Sequence, residues 1–87
     1  MITNLTPQYD SRKSFYGKAK IKENDMMRSL YSYDTLIVSI DKTTNKVTFT
    51  NAWDASQTTL RHVKEFLYQN DLFVGSKAEI KKHYQLE

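Results

Sequence analysis

The segment SFYGKAKIK, residues 14–22, alternates between small or apolar side chains and basic ones. Successive side chains of a β-strand point to opposite faces, so this pattern predicts a strand with one apolar face and one lysine-bearing face. The apolar face holds Phe15, Gly17, Ala19 and Ile21, and the opposite face holds Tyr16, Lys18, Lys20 and Lys22. Such a strand has to bury its apolar face under another element, which favours a sheet covered on one side.

Two more extended runs follow this strand, which we place over residues 14–23. The run RSLYSYDTLIVSI, residues 28–40, is rich in Tyr, Ile, Val and Thr, as strands are. It is long for one strand, and we expect a bend or bulge near Asp34. Its later part is expected to alternate, with one face formed by Leu36, Val38 and Ile40 and the other by Ile37 and Ser39. Residues 46–51, KVTFTN, alternate again. Short polar segments separate the three runs, so they predict an antiparallel meander.

The hydrophobic period then changes from two residues to that of a helix. Leu60, Val63, Phe66 and Leu67 share one face of a predicted main helix over residues 57–69, with Ser56 as a candidate N-cap.

The segment SKAEIKKHY, residues 76–84, predicts a second, short helix. Ser76 and Glu79 stand at the positions of a capping box, and Ala78 is expected to pack inward. Phe73, in the segment before this helix, is also expected to be buried.

These elements predict an α+β fold with the order β-β-β-α-α. A three-stranded antiparallel meander packs on one main α-helix, and a short C-terminal helix closes the chain. We expect a single domain over residues 1–87, with an irregular lead-in at 1–11, the sheet at 14–51 and the helical part at 56–84.

Composition narrows the classes of function. The chain has no cysteine, which excludes disulfides, thiolate zinc sites and a cysteine nucleophile. No apolar run approaches the roughly 20 residues of a membrane span, and the N-terminus lacks the pattern of a signal peptide. We therefore expect a cytoplasmic protein that has no membrane partner.

Catalytic and metal signatures are weak. There is no G-x-S-x-G motif, and two glycines in the whole chain do not make a phosphate-cradling loop. His62 and Glu65 stand three residues apart on the predicted helix, but two histidines without cysteine are a poor metal signature. We expect His62 to border the core, His83 to lie on the surface, and the protein to be no enzyme and to need no cofactor.

The basic residues are concentrated near the N-terminus. The net charge is +3, and residues 12–22 carry five basic side chains and no acid. Such a face is either a solvated surface that blocks edge-to-edge aggregation or a surface that binds nucleic acid or a protein partner. The candidate binding residues there are Arg12, Lys13, Tyr16, Lys18, Lys20, Lys22 and, from the neighbouring strand, Arg28, with Tyr31 and Tyr33 nearby.

The outer face of the main helix offers a second candidate surface. Arg61, Lys64 and Tyr68 are expected to point away from the sheet together with Glu65. A mixed face of this kind is usually solvated, but Tyr and Arg are also the residues enriched at protein-binding hot spots.

Several stretches together resemble a known family. They are YDSRKSFYGKA (9–19), LYSYDT (30–35), TLRHVKEFL (59–67) and SKAEIKKHY (76–84). The chain is similar to short uncharacterised proteins, a domain of unknown function, encoded by phages, plasmids and other mobile elements of Firmicutes.

This resemblance implies a biological setting. Small proteins of such elements often act on host defence, and some resemble anti-CRISPR proteins. It implies a stoichiometric inhibitor that binds a Cas9-type defence effector or the effector's nucleic acid. The alternative is a small DNA-binding accessory protein that uses the basic face of its sheet. The two hypotheses remain open at this point, as does the oligomeric state.

Overall fold

A five-stranded antiparallel sheet forms one layer of the protein, and two helices follow it in the chain. A computed structural model describes residues 1–86. The strands are β1 (Ile2–Asn4), β2 (Ala19–Glu23), β3 (Met27–Ser32), β4 (Thr35–Asp41) and β5 (Val47–Phe49), in the spatial order β1-β2-β3-β4-β5. The helices are α1 (Gln57–Gln69) and α2 (Lys77–His83). The α+β class and both helices are confirmed, but the prediction of three strands is wrong.

One extra strand comes from the long run 28–40. Tyr33 and Asp34 both have positive φ, at 52° and 65°, as the two central residues of a type I′ hairpin require. The expected bend near Asp34 is therefore a complete reversal between β3 and β4. The usual Asn-Gly signal of such a turn is missing, which is why the run reads as one strand.

The other extra strand comes from the lead-in, which is not irregular throughout. Ile2–Asn4 pairs with β2, with Ile2 opposite Lys22 and Asn4 opposite Lys20. The first predicted strand is in turn shorter than expected, because β2 begins only at Ala19. Tyr16 and Gly17 have positive φ, at 53° and 71°, and make a turn before it.

A β-bulge corrects the predicted faces of β4. Leu30 pairs with Val38 and Tyr31 pairs with Leu36, so Ile37 has no partner on β3. The extra residue lets both Ile37 and Val38 turn into the core, while Leu36 is exposed. The expected grouping of Leu36 with Val38 on one face is therefore wrong.

The apolar face of α1 is confirmed. Leu60, Val63, Phe66 and Leu67 are all buried in the core that the sheet lines with residues such as Leu30. Ser56 caps the helix by accepting a hydrogen bond from the backbone N–H of Thr59. Within residues 1–86 no helix has the length and apolar character to cross a bilayer.

The second helix is confirmed with a full capping box. Ser76 and Glu79 each accept a hydrogen bond from the other's backbone N–H. Ile80 is buried, and Tyr84 packs partly against the core. Phe73 and Ala78, which were expected to face inward, are exposed, and the Phe73 ring stacks on His83 at 4.3 Å between centroids.

Residues 5–10 form a strap across the outer side of α1. Leu5 is buried, and the side chain of Gln69 donates a 2.8 Å hydrogen bond to the carbonyl of Thr6. The carboxylate of Glu65 accepts 2.9 Å bonds from the backbone N–H groups of Tyr9 and Asp10. Glu65 is fully buried, so its expected place on a solvated outer face is wrong. The strap covers Glu65, while Tyr68 on the same face stays about half exposed.

Replacing Glu65 with Ala is expected to lower the free energy of unfolding by about 2–3 kcal/mol. Hydrogen bonds to a charged acceptor contribute roughly 1.5–3 kcal/mol. Their loss also leaves partly buried N–H groups of the strap without an acceptor. Urea denaturation measures the change, and hydrogen exchange should show faster exchange at Tyr9 and Asp10. Lys64→Ala on the same helix is the control, expected within about 0.5 kcal/mol of the parent. Equal effects of the two variants would contradict the role given to Glu65.

Candidate nucleic-acid interface

The open face of the sheet carries two of the predicted lysines. Lys20 and Lys22 on β2 alternate with Ala19 and Ile21, which face the helix side. Register places Tyr31 opposite Lys20 and Ile2 opposite Lys22. With Asp34, these four side chains line a shallow depression on the sheet surface.

Lys18 extends this surface to the tip of the β3–β4 hairpin. The left-handed turn at Tyr16 and Gly17 leaves the Tyr16 side chain 80% exposed. Lys18 Nζ lies 5.8 Å from the centroid of the Tyr33 ring, within reach of a cation–π contact. A second depression is lined by Lys18 and Lys20 with Tyr16, Gly17, Tyr33 and Asp34.

A third depression lies around the corner, between residues 12–18 and α1. Its volume is about 170 Å³. Arg12 and Lys18 contribute to it from the chain before β2, and Arg61 and His62 contribute from α1. Arg61, which the sequence placed on a separate surface, therefore joins the basic residues of the N-terminal segment.

The three depressions form one continuous surface, because neighbours share residues. The first and second share Lys20 and Asp34, and the second and third share Tyr16, Lys18 and Tyr33. We call this surface the basic track. Its cations are Lys22, Lys20, Lys18, Arg12 and Arg61, and its aromatic rings are Tyr31, Tyr33 and Tyr16.

Few charges on the protein compensate the track. Among residues 1–86, Arg12, Lys18 and Lys22 form no ion pair. Lys20 lies 3.9 Å from a carboxylate oxygen of Asp34, but both groups are exposed and such a pair contributes little. Arg61 is held more firmly, with its Nε 3.2 Å from Asp10 Oδ2. The track therefore keeps a net positive charge.

Arg28 does not belong to the basic surface, which corrects the prediction. It pairs with Glu23 on the face opposite to Lys20 and Lys22. Its guanidinium donates to Glu23 Oε2 at 3.0 Å and also to the side-chain oxygen of Asn70. Hydrogen bonds from Arg28 and Lys42 hold the pKa of Glu23 at about 2, against an ordinary value of 4.5. Arg28 is thus a structural cation.

Three other predicted site residues also lie off the track. Lys13 is exposed but lines none of its depressions. The Tyr68 ring packs on Tyr9 of the strap at 5.0 Å between centroids. Lys64 lies near α2, where its charge adds to the hydrogen bonds of Ser76 in lowering the pKa of Glu79.

His62 is buried more deeply than expected. Its side chain is fully enclosed, and its Nδ1 lies 2.8 Å from the hydroxyl of Ser32 on β3. Burial lowers the pKa of His62 below 6.5, and the nearby charge of Asp10 opposes this effect. His62 and Glu65 do not converge as metal ligands would, since each is held by a different segment. Their helical spacing alone gave no signal of these partners.

The chain belongs to a family of unknown function (DUF8033), whose model matches residues 3–82. Neither a curated protein nor a solved structure matches the chain. The match confirms the prediction of a domain of unknown function.

Replacing Glu23 with Gln tests the ion pairs that keep Arg28 off the track. Folding lowers the pKa of this carboxyl from 4.5 to about 2, so the unfolded state takes up the proton more readily. The stabilisation is fully present above pH 4.5 and disappears as the pH falls towards 2. The variant should be less stable than the parent at neutral pH and converge with it in acid.

Urea denaturation across this pH range measures the difference between the two proteins. Asp25→Asn, an exposed change in the same turn, is the control and should leave the pH dependence unaltered. If the difference in free energy of unfolding between Glu23→Gln and the parent stays constant from neutral pH to pH 2, the ion pairs do not lower the pKa of Glu23 as described.

Proposed function

We propose that the protein binds single-stranded nucleic acid along the basic track. The observation that carries the proposal is the continuity of the three depressions, in which cations alternate with exposed or half-exposed tyrosine rings. Proteins that hold a single strand combine a positive groove for the phosphates with aromatic rings on which bases stack. Lysines alone would also suit other anions, but the interleaved rings favour a polymer of phosphates and bases.

The path of the track favours a single strand over a duplex. It runs along the open face of the sheet past Tyr31, reaches the hairpin tip at Tyr33, and ends beside α1 at Arg61. The structure spans only about 30 Å, so this path turns within a few nucleotides. Duplex DNA has a persistence length of about 50 nm and resists such a turn. A flexible strand follows it easily.

The other candidate surface, the outer side of α1, supports a partner less well. The strap already occupies it, with Tyr9 on Tyr68 and Asp10 on Arg61. A protein partner would meet the strap together with the part of the Tyr68 ring that stays exposed. This occupancy favours the nucleic-acid hypothesis over a hot spot centred on Tyr68.

The mobile-element origin and the anti-CRISPR role stay predictions that rest on the family resemblance, and the cytoplasmic location stays a prediction from the sequence pattern. The basic track is compatible with an inhibitor that contacts the nucleic acid of its target. An inhibitor of a Cas9-type effector would use the track against the guide or target strand, and binding alone would suffice without any bond being made or broken. Such an inhibitor should bind the loaded effector more tightly than the free strand.

The salt dependence of binding tests the proposal. Fluorescence anisotropy with a labelled oligothymidine of about 12 nucleotides measures affinity over a range of salt concentrations. Five phosphate contacts predict a slope of about −3.5 in log affinity against log salt, and Lys18→Ala/Lys20→Ala/Lys22→Ala should reduce it to about −1.4. A duplex of equal length should bind more weakly.

A matched variant controls for net charge. Lys77→Ala/Lys81→Ala/Lys82→Ala removes the same three charges from exposed positions on α2. It should bind almost as well as the parent and keep the parent's slope. Equal losses in the two triple variants would mean that binding follows total charge, and the track would then not be the site.

Asp34→Asn gives a prediction of the opposite sign. Asp34 is the one carboxylate that lines the first two depressions, and its positive φ of 65° is one that Asn tolerates. Removing its charge should tighten binding several-fold at low salt and less at high salt, because salt screens exposed charges. The same anisotropy assay measures it. Unchanged or weaker binding with an intact fold would argue against a strand passing the hairpin tip.

A further inference from the structure

One buried nitrogen lacks a hydrogen-bond partner. His62 is fully enclosed, and its Nε2 makes no hydrogen bond to any residue in the range 1–86. Nearly all buried polar side-chain atoms in native proteins are paired, so an exception calls for a physical reason. The other ring nitrogen, Nδ1, is already engaged by Ser32.

A chain of hydroxyl groups leads to Nδ1 of His62. Ser56 Oγ donates to Thr59 Oγ1 at 3.1 Å, Thr59 Oγ1 lies 3.2 Å from Ser32 Oγ, and Ser32 Oγ lies 2.8 Å from His62 Nδ1. Each hydroxyl has one proton to give. When all three donate in the same direction, every proton is used and Nδ1 is an acceptor. The neutral ring then carries its proton on Nε2, which makes the unpaired atom a donor.

The depression that His62 lines carries cations that suit a negative group. His62 lines the third depression of the track, about 170 Å³ in volume, together with the cations Arg12, Lys18 and Arg61. One water needs roughly 10–15 Å³ of such volume, so the cavity has room for a group of several heavy atoms. The facing acid is Asp10, which pairs with Arg61 and also accepts from the backbone N–H of Arg12.

Two aromatic rings flank His62 in this depression. Phe15 is buried and meets the His62 ring edge-on at 4.6 Å between centroids, and Tyr33 lies 6.0 Å from the same ring. The depression is the last of the three along the track. A group that enters here is therefore the end of a bound strand or a small molecule.

We propose that this cavity binds a terminal phosphate group whose entry uncovers the enclosed edge of His62, so that Nε2 donates to it while Arg12, Lys18 and Arg61 supply positive charge. The inference rests on the proposed function for its source, the phosphorylated end of a strand bound on the track. A free phosphate ion or a mononucleotide presents the same chemistry, and the experiment separates these sources.

The first measurement compares three oligothymidines of equal length, with a 5′-phosphate, with a 3′-phosphate, and with hydroxyl groups at both ends. For the parent protein we expect one phosphorylated strand to bind about ten-fold tighter than the unphosphorylated strand. Arg12 is exposed, so Arg12→Gln should fold normally and lose this advantage. His62→Leu should lose it too, whereas His62→Gln, which keeps a donor near Nε2, should retain part of it.

The second measurement is a titration with inorganic phosphate, followed by the imidazole nitrogen resonances of His62. A shift that saturates in the parent and is absent in Arg12→Gln supports the site with a free-phosphate source. Equal affinity for all three strands, together with an unmoved His62 resonance, would overturn the inference.

The two proposals fail in different ways. Suppose that all three strands bind in a salt-dependent way, that a terminal phosphate does not increase affinity, and that His62 shows no shift. This result would overturn the phosphate site and leave the proposed function standing. A phosphate-induced shift at His62 in a protein that binds no strand would retain the phosphate site and overturn the proposed function.

Discussion

The buried carboxylate of Glu65 makes the contacts on which one end of the basic track depends. It accepts hydrogen bonds from the backbone of Tyr9 and Asp10 and so holds the strap against α1. The strap then places Asp10, whose carboxylate accepts from Arg61 and from the backbone N–H of Arg12. The buried carboxylate of Glu65 thus helps to position two cations of the track, Arg12 and Arg61.

On the sheet side, two turns with left-handed backbone conformation position the aromatic rings of the track. The turn at Tyr16 and Gly17 brings Phe15 into the core and leaves Tyr16 exposed. The hairpin turn at Tyr33 and Asp34 brings a second tyrosine beside Lys18. Non-glycine residues take positive φ at a cost, and positions of this kind recur at binding sites. Here they point aromatic rings outward next to lysines.

Sequence periodicity identified the elements that bury an apolar face. The stripe from Leu60 to Leu67, the Ser56 cap and the Ser76–Glu79 capping box were all read correctly, because each depends on local spacing alone. The basic row was also recognised from alternation, although Lys18 lies just before the strand that carries Lys20 and Lys22.

The features that were missed depend on distant contacts or on unusual turns. Glu65 looks like a solvated helix residue until residues 9 and 10 return to cover it. The hairpin at Tyr33 lacks the glycine that normally marks such a turn. The bulge at Ile37 is visible only when the register between β3 and β4 is known. Arg28 lies opposite Glu23 of β2 and therefore faces away from the lysines. The sequence of one strand does not reveal this pairing.

Binding along the basic track can be mapped from the amide chemical shifts of the protein as a short unlabelled oligothymidine is added. We expect perturbations clustered at residues 12–22 and 31–34 and at Arg61, with α2 and the β4–β5 loop unaffected. Perturbations concentrated on α2, or a spectrum that does not change at concentrations well above those of salt-sensitive binding, would contradict it.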